Sequence, residues 1–80
     1  MNYIATFYAH FGAIRYKKIC NERGIAAKVM PVPRKLSSSC GTCVSYEGDD
    51  YIIDDNYIEE IEQIVVVRDD GYEQVYVADN

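Results

Sequence analysis

The sequence predicts an α+β fold: a ferredoxin-like βαββαβ sandwich, with a four-stranded antiparallel sheet carrying two helices on one face. Three observations predict it. Hydrophobic residues make up 49% of the 80 residues, which suits one small folded domain spanning residues 1–80. Stretches of β-formers and stretches of helical period succeed one another as strand, helix, strand, strand, helix, strand. Pro31 and Pro33 close the second strand, and proline belongs on a sheet edge, where this topology puts that strand.

Residues 3–8 (Tyr-Ile-Ala-Thr-Phe-Tyr) are rich in β-formers and read as strand 1. Residues 10–23 read as a helix. Ala13, Tyr16 and Cys20 share one face with Ile19 beside it, and Gly24 stands where a helix stops. Residues 26–32 give strand 2, residues 34–41 a loop, and the alternating residues 42–47 (Thr-Cys-Val-Ser-Tyr-Glu) strand 3. Gly48-Asp49-Asp50 is a turn, and Tyr51-Ile52-Ile53 suggests a short extra extended piece. Asn56 followed by Glu59 resembles a capping box, and Ile58, Ile61, Ile64 and Val65 recur at helical spacing, so a second helix is expected over residues 56–67. The β-branched run Ile64-Val65-Val66-Val67 argues for a hairpin instead, turning at Asp70-Gly71. The helix is preferred because Glu59, Glu60 and Glu62 do not alternate with the isoleucines. Residues 73–78 form the last strand, on the other edge.

Charge is divided unevenly. Residues 1–45 hold seven of the eight Lys/Arg and one acid, a net of +6; residues 46–80 hold the remaining cation and twelve acids, a net of −11. An overall charge of −5 with no dense basic stripe disfavours nucleic-acid binding. The longest apolar run, Ile64 to Val67, is far too short to span a membrane. Met1-Asn2-Tyr3-Ile4 shows no cationic region ahead of an apolar one, so a cytoplasmic location is expected. Three cysteines, two of them spaced C-x-x-C, fit a reducing compartment better than a disulfide framework.

Chemistry concentrates in residues 31–43, Pro-Val-Pro-Arg-Lys-Leu-Ser-Ser-Ser-Cys-Gly-Thr-Cys. The thiolate is the nucleophilic form of cysteine. Arg34 and Lys35 bring cations within loop reach of Cys40, Ser37, Ser38 and Ser39 bring hydroxyls, and Gly41 lets backbone amides turn toward sulfur. The prolines stiffen the approach. Cys43 reads either as a second reactive thiol or as core packing in an alternating strand, and Cys20 as a buried, inert residue on the helix core face. A zinc site would draw on Cys40, Cys43, Cys20 and His10, but one knuckle falls short of the usual two. His10 reads as a capping or surface residue, and the acids of residues 49–62 as a solvated face.

The segment Met30-Pro31-Val32-Pro33-Arg34 followed by Ser37-Ser38-Ser39-Cys40-Gly41 resembles a small bacterial domain family described as selenium/sulfur-carrier-like. The resemblance takes in Thr6-Phe7, Ala13 and Gly24-Ile25, covers most of residues 3–47, and fades beyond Glu47. It implies that Cys40 is the carrier cysteine, Gly41 its backbone partner, Pro33-Arg34 a shoulder, and Ser38 and Ser39 flanking hydroxyls. The chain departs from the pattern at Cys43, where the family is more often apolar.

The leading expectation is therefore a carrier or accessory protein rather than a stand-alone enzyme. Cys40 holds a persulfide or perselenide, taken from a protein donor such as a cysteine desulfurase and passed to an acceptor that the sequence does not identify. No cofactor and no metal are expected. The competing readings are a thiol-disulfide or redox-sensing module using the Cys40/Cys43 pair, and a non-enzymatic interaction domain. The open strand edges admit a homodimer.

Overall fold

A computed structural model describes residues 1–51, 53 and 58–78. The element order is β1 (Asn2–Phe7), α1 (His10–Glu22), β2 (Ala27–Pro31), β3 (Thr42–Glu47), a short 3₁₀ turn (Ile58–Glu60), β4 (Ile61–Arg68) and β5 (Gly71–Val77). The strands form one antiparallel sheet in the order β2-β3-β1-β4-β5. β1 lies at its centre, which is why its residues from Tyr3 to Phe7 are all buried.

Successive side chains of β1 enter two different cores. Tyr3, Ala5 and Phe7 join Val44, Tyr46, Ile64 and Val66 beneath the α1 residues Ala13, Tyr16, Ile19 and Cys20. Tyr16 donates a buried hydrogen bond to the Tyr46 hydroxyl at 2.9 Å, so neither phenol is stranded in the core. On the other face Ile4, Cys43 and Val65 are buried under Met30, Val32, Leu36 and Tyr72. The strand 2–strand 3 loop, not a helix, thus supplies much of the second cover.

Helix α1 ends as its sequence requires. Gly24 takes a left-handed φ of 75°. Its N–H donates to Asn21 O at 3.1 Å and that of Ile25 to Cys20 O at 2.8 Å, the paired bonds of a Schellman ending. Strand β2 is an edge, in keeping with Pro31 at its end.

The second half corrects the predicted fold. The molecule has one helix and five antiparallel strands; it is not a four-stranded ferredoxin-like βαββαβ sandwich with two helices. Residues 61–68 form β4 beside β1, and a turn at Asp69-Asp70 returns the chain as β5, the edge strand. The misleading helical spacing has a physical source. Phe7 pairs with Ile61 and Thr6 with Gln63, so Glu62 is an extra residue bulged out of the ladder. The bulge sets Ile61 and Ile64, three residues apart, on the same face of the sheet, a spacing that otherwise belongs to a helix. The β-branched run then fills both cores, with Ile64 and Val66 on one face and Val65 on the other. Asn56, the expected helix cap, and Ile52, the middle of the suggested extra piece, lie outside the described residues.

Candidate functional site

The loop from Val32 to Gly41 begins and ends on the same ladder. Val32 N–H donates to Gly41 O at 3.1 Å, one step beyond the Pro31–Thr42 pair. Gly41 has φ 74°, a conformation that reverses the chain into β3 and that suits glycine. Between these ends the loop wraps the end of the sheet. Leu36 packs on the face of Ile4 and Val65, whereas Cys40 packs against the α1-side core.

Two strands hold the loop, β4 through side chains and β1 through a backbone carbonyl. Gln63 Nε2 donates to Ser37 O at 3.2 Å. Ser38 Oγ donates to Phe7 O, at the end of β1, at 3.3 Å. Ser39 donates twice to Glu62, from Oγ to Oε2 at 2.6 Å and from its N–H to Oε1 at 3.3 Å. The same Oε1 accepts from the buried Thr6 hydroxyl at 3.2 Å. A carboxylate with three donors, one of them very short, makes charge-assisted bonds stronger than neutral ones.

Cys40 is partly buried. Its Sγ donates to Thr42 O at 3.4 Å and stands 4.0 Å from Ser38 Oγ. With each proton directed at a carbonyl, the sulfur–hydroxyl approach is a packing contact. Once the thiol proton has left, the Ser38 hydroxyl has a second acceptor within reach. Thr42 Oγ1 shares a 3.0 Å hydrogen bond with His10 Nδ1 at the start of α1, so His10 reaches the site's edge through Thr42.

The other two thiols differ sharply. Cys20 and Cys43 are fully buried. Burial pushes Cys43 up from 9.0 to about 11, with the charge of a Cys40 thiolate adding to the rise. Burial likewise pushes Cys20 up to about 11, opposed in part by the Arg23 charge and its own backbone amide. Cys43 lies on β3 between Thr6 and Met30, belongs to the second-face core, and donates from Sγ to Pro31 O at 3.7 Å. Cys40 and Cys43 therefore contribute to cores on opposite faces of the sheet, and all three thiols are free.

Arg34 and Lys35 are exposed. Lys35 lines a groove with Leu36, Gln63 and Tyr72 on the second face, and the polar groups found at the Cys40 sulfur are Ser38 and Thr42 instead. No group of three His, Cys, Asp or Glu among the described residues is placed to hold a metal ion. No helix among them is long and apolar enough to cross a membrane.

Sequence reasoning missed Glu62 and Thr6. Sequence alone makes Glu62 one acid of a solvated helix face, and makes Thr6 a strand residue within the family resemblance with no contact to the loop. The β-branched run beginning at Ile64 was the available signal: with residues 61–68 read as a strand, Glu62 interrupts the alternation, which marks a bulge.

The family model described as "Putative Se/S carrier protein-like" matches residues 2–76. The chain belongs to this family, and the match extends well past Glu47 through β4 and most of β5. No curated protein and no solved structure matches the chain significantly.

Proposed function

We propose that this family member carries sulfur or selenium on Cys40. One observation carries the choice of residue: of the three thiols, Cys40 alone escapes full burial, and it stands on the loop with the family-like motif. The transfer needs no oxidant. The Cys40 thiolate attacks the terminal sulfur of a donor persulfide, the donor S–S bond breaks, the donor leaves as a thiolate, and a new S–S bond forms at Cys40. Delivery repeats the step in reverse roles, with an acceptor nucleophile taking the outer sulfur and Cys40 leaving as thiolate. Two electrons stay with each departing thiolate, so the sulfane sulfur moves without net redox change. Selenium follows the same scheme as a perselenide.

The carrier's own residues have modest tasks. Ser38 offers the thiolate a hydroxyl, and Gly41 turns the chain so that Cys40 stands at the end of the sheet. The proposed partners are a protein donor such as a cysteine desulfurase and an acceptor with a nucleophilic site. Cys43 as resolving thiol is less well supported, because a disulfide needs Cβ atoms about 4 Å apart and the two residues serve opposite faces.

The test is mass spectrometry after incubation with a cysteine desulfurase and cysteine, with peptides of Cys20, Cys40 and Cys43 mapped separately. Added sulfur confined to Cys40 is the expected result. A Cys40–Cys43 crosslink without added sulfur overturns the carrier reading in favour of thiol-disulfide chemistry.

A further inference from the structure

We propose that Glu62 is a positioning residue for Cys40, acting through Ser39. Three independent features converge on it. It is the bulged residue of β4, placed where the ladder between β1 and β4 slips by one residue. Bulges beside functional sites re-aim a side chain that an even ladder would send elsewhere. Its carboxylate grips both the backbone N–H and the hydroxyl of Ser39, the residue immediately before the thiol, at 3.3 and 2.6 Å. Its third bond comes from Thr6, a hydroxyl buried in the central strand, so the grip is referred to the strand paired on both sides.

The arrangement fixes one side of Cys40 while the Val32–Gly41 bond and the Phe7–Ser38 bond fix the rest of the loop. A loop so held presents the sulfur in one orientation to an incoming persulfide. Displacement of a reacting atom by about 1 Å costs on the order of a hundredfold in rate, so even partial release matters. Glu62 touches neither sulfur nor partner in this scheme; its effect passes entirely through Ser39. The inference rests on the carrier reading of Cys40 for its loading prediction, but not for its prediction about the loop.

Two readouts on Glu62→Ala separate these claims. The first is the rate of Cys40 alkylation by iodoacetamide, mapped by peptide, with the buried Cys20 and Cys43 as internal reporters of folding. The second is the rate of sulfur loading from a cysteine desulfurase, resolved into a maximal rate and a donor KM. Glu62→Ala is expected to speed Cys40 alkylation several-fold while Cys20 and Cys43 stay protected, and to lower the maximal loading rate roughly tenfold or more with KM little changed. Ser39→Ala, which leaves the bulge intact, is expected to move both in the same direction by less. The double variant should be no worse than Glu62→Ala, because both changes cut one linkage. Unchanged Cys40 alkylation in Glu62→Ala overturns the inference, and so does a double variant with fully additive losses. Simultaneous alkylation of all three cysteines assigns Glu62 to general stability and also overturns it. If native Cys40 accepts no sulfur, the carrier reading falls, and the alkylation readout still decides the role of Glu62.

Discussion

Cys40 and Cys43 are three residues apart and belong to different parts of the molecule. Cys40 closes a loop held by side chains of Glu62 and Gln63 and by the end of β1, and its sulfur faces polar partners. Cys43 is a strand residue in an apolar core beside Val65 and Ile4, beneath Met30, Val32, Leu36 and Tyr72. The difference comes from the strand itself: Thr42 begins β3, so Cys43 obeys sheet alternation, whereas Cys40, before Gly41, does not. Here the C-x-x-C spacing runs into β3, and its two thiols pack on opposite faces of the sheet.

The largest expected contrast is in chemical reactivity. Native Cys40 should react with iodoacetamide at least about 10³-fold faster than Cys43 or Cys20, because fully buried thiols react only through opening of the fold. Peptide-resolved alkylation measures this, and comparable rates at Cys40 and Cys43 would break the comparison.

The second contrast concerns the core around Cys43. Ile4→Ala should cost about 2–5 kcal/mol in urea unfolding. It should speed Cys43 alkylation in proportion and leave Cys40 within about twofold of native. Equal acceleration at both thiols would show that the two regions open as one.

A third prediction uses pH. The folded state keeps the Cys43 and Cys20 protons up to about 11, whereas the unfolded chain releases them near 9.0. Their stabilising contribution is therefore full below pH 9 and is lost as pH rises from 9 to 11. Denaturation midpoints measured across that window should fall more steeply for native protein than for Cys43→Ala. Parallel curves would mean that Cys43 is not protected as described.

The smallest effect is at the loop's hinge. Gly41→Ala should cost about 1–2 kcal/mol from its left-handed backbone alone, because no atom lies within 4 Å of the added Cβ. Thermal unfolding checks it, and a cost near zero would mean the turn relaxes.

The first half of the fold was legible because its signals are local. Proline placement set the β2 edge, Gly24 stopped α1, and alternation gave β3 to the residue. The second half was not, because one bulged residue imitates a helical period, and only pairing with β1 shows it. Cys40 stood out through its own neighbours in sequence. Glu62 and Thr6 did not, since their roles depend on contacts across 23 and 56 residues. Lys35 shows that adjacency along a loop does not fix which way a side chain turns, since it lines a groove with Leu36, Gln63 and Tyr72 on the second face.

The most direct measurement is sulfur loading of Cys40→Ser and Cys43→Ala side by side, from a cysteine desulfurase with cysteine as source. The account predicts that Cys40→Ser takes up no sulfur while Cys43→Ala loads at a rate close to native. Loading that survives in Cys40→Ser, or is lost in a folded Cys43→Ala, would contradict it.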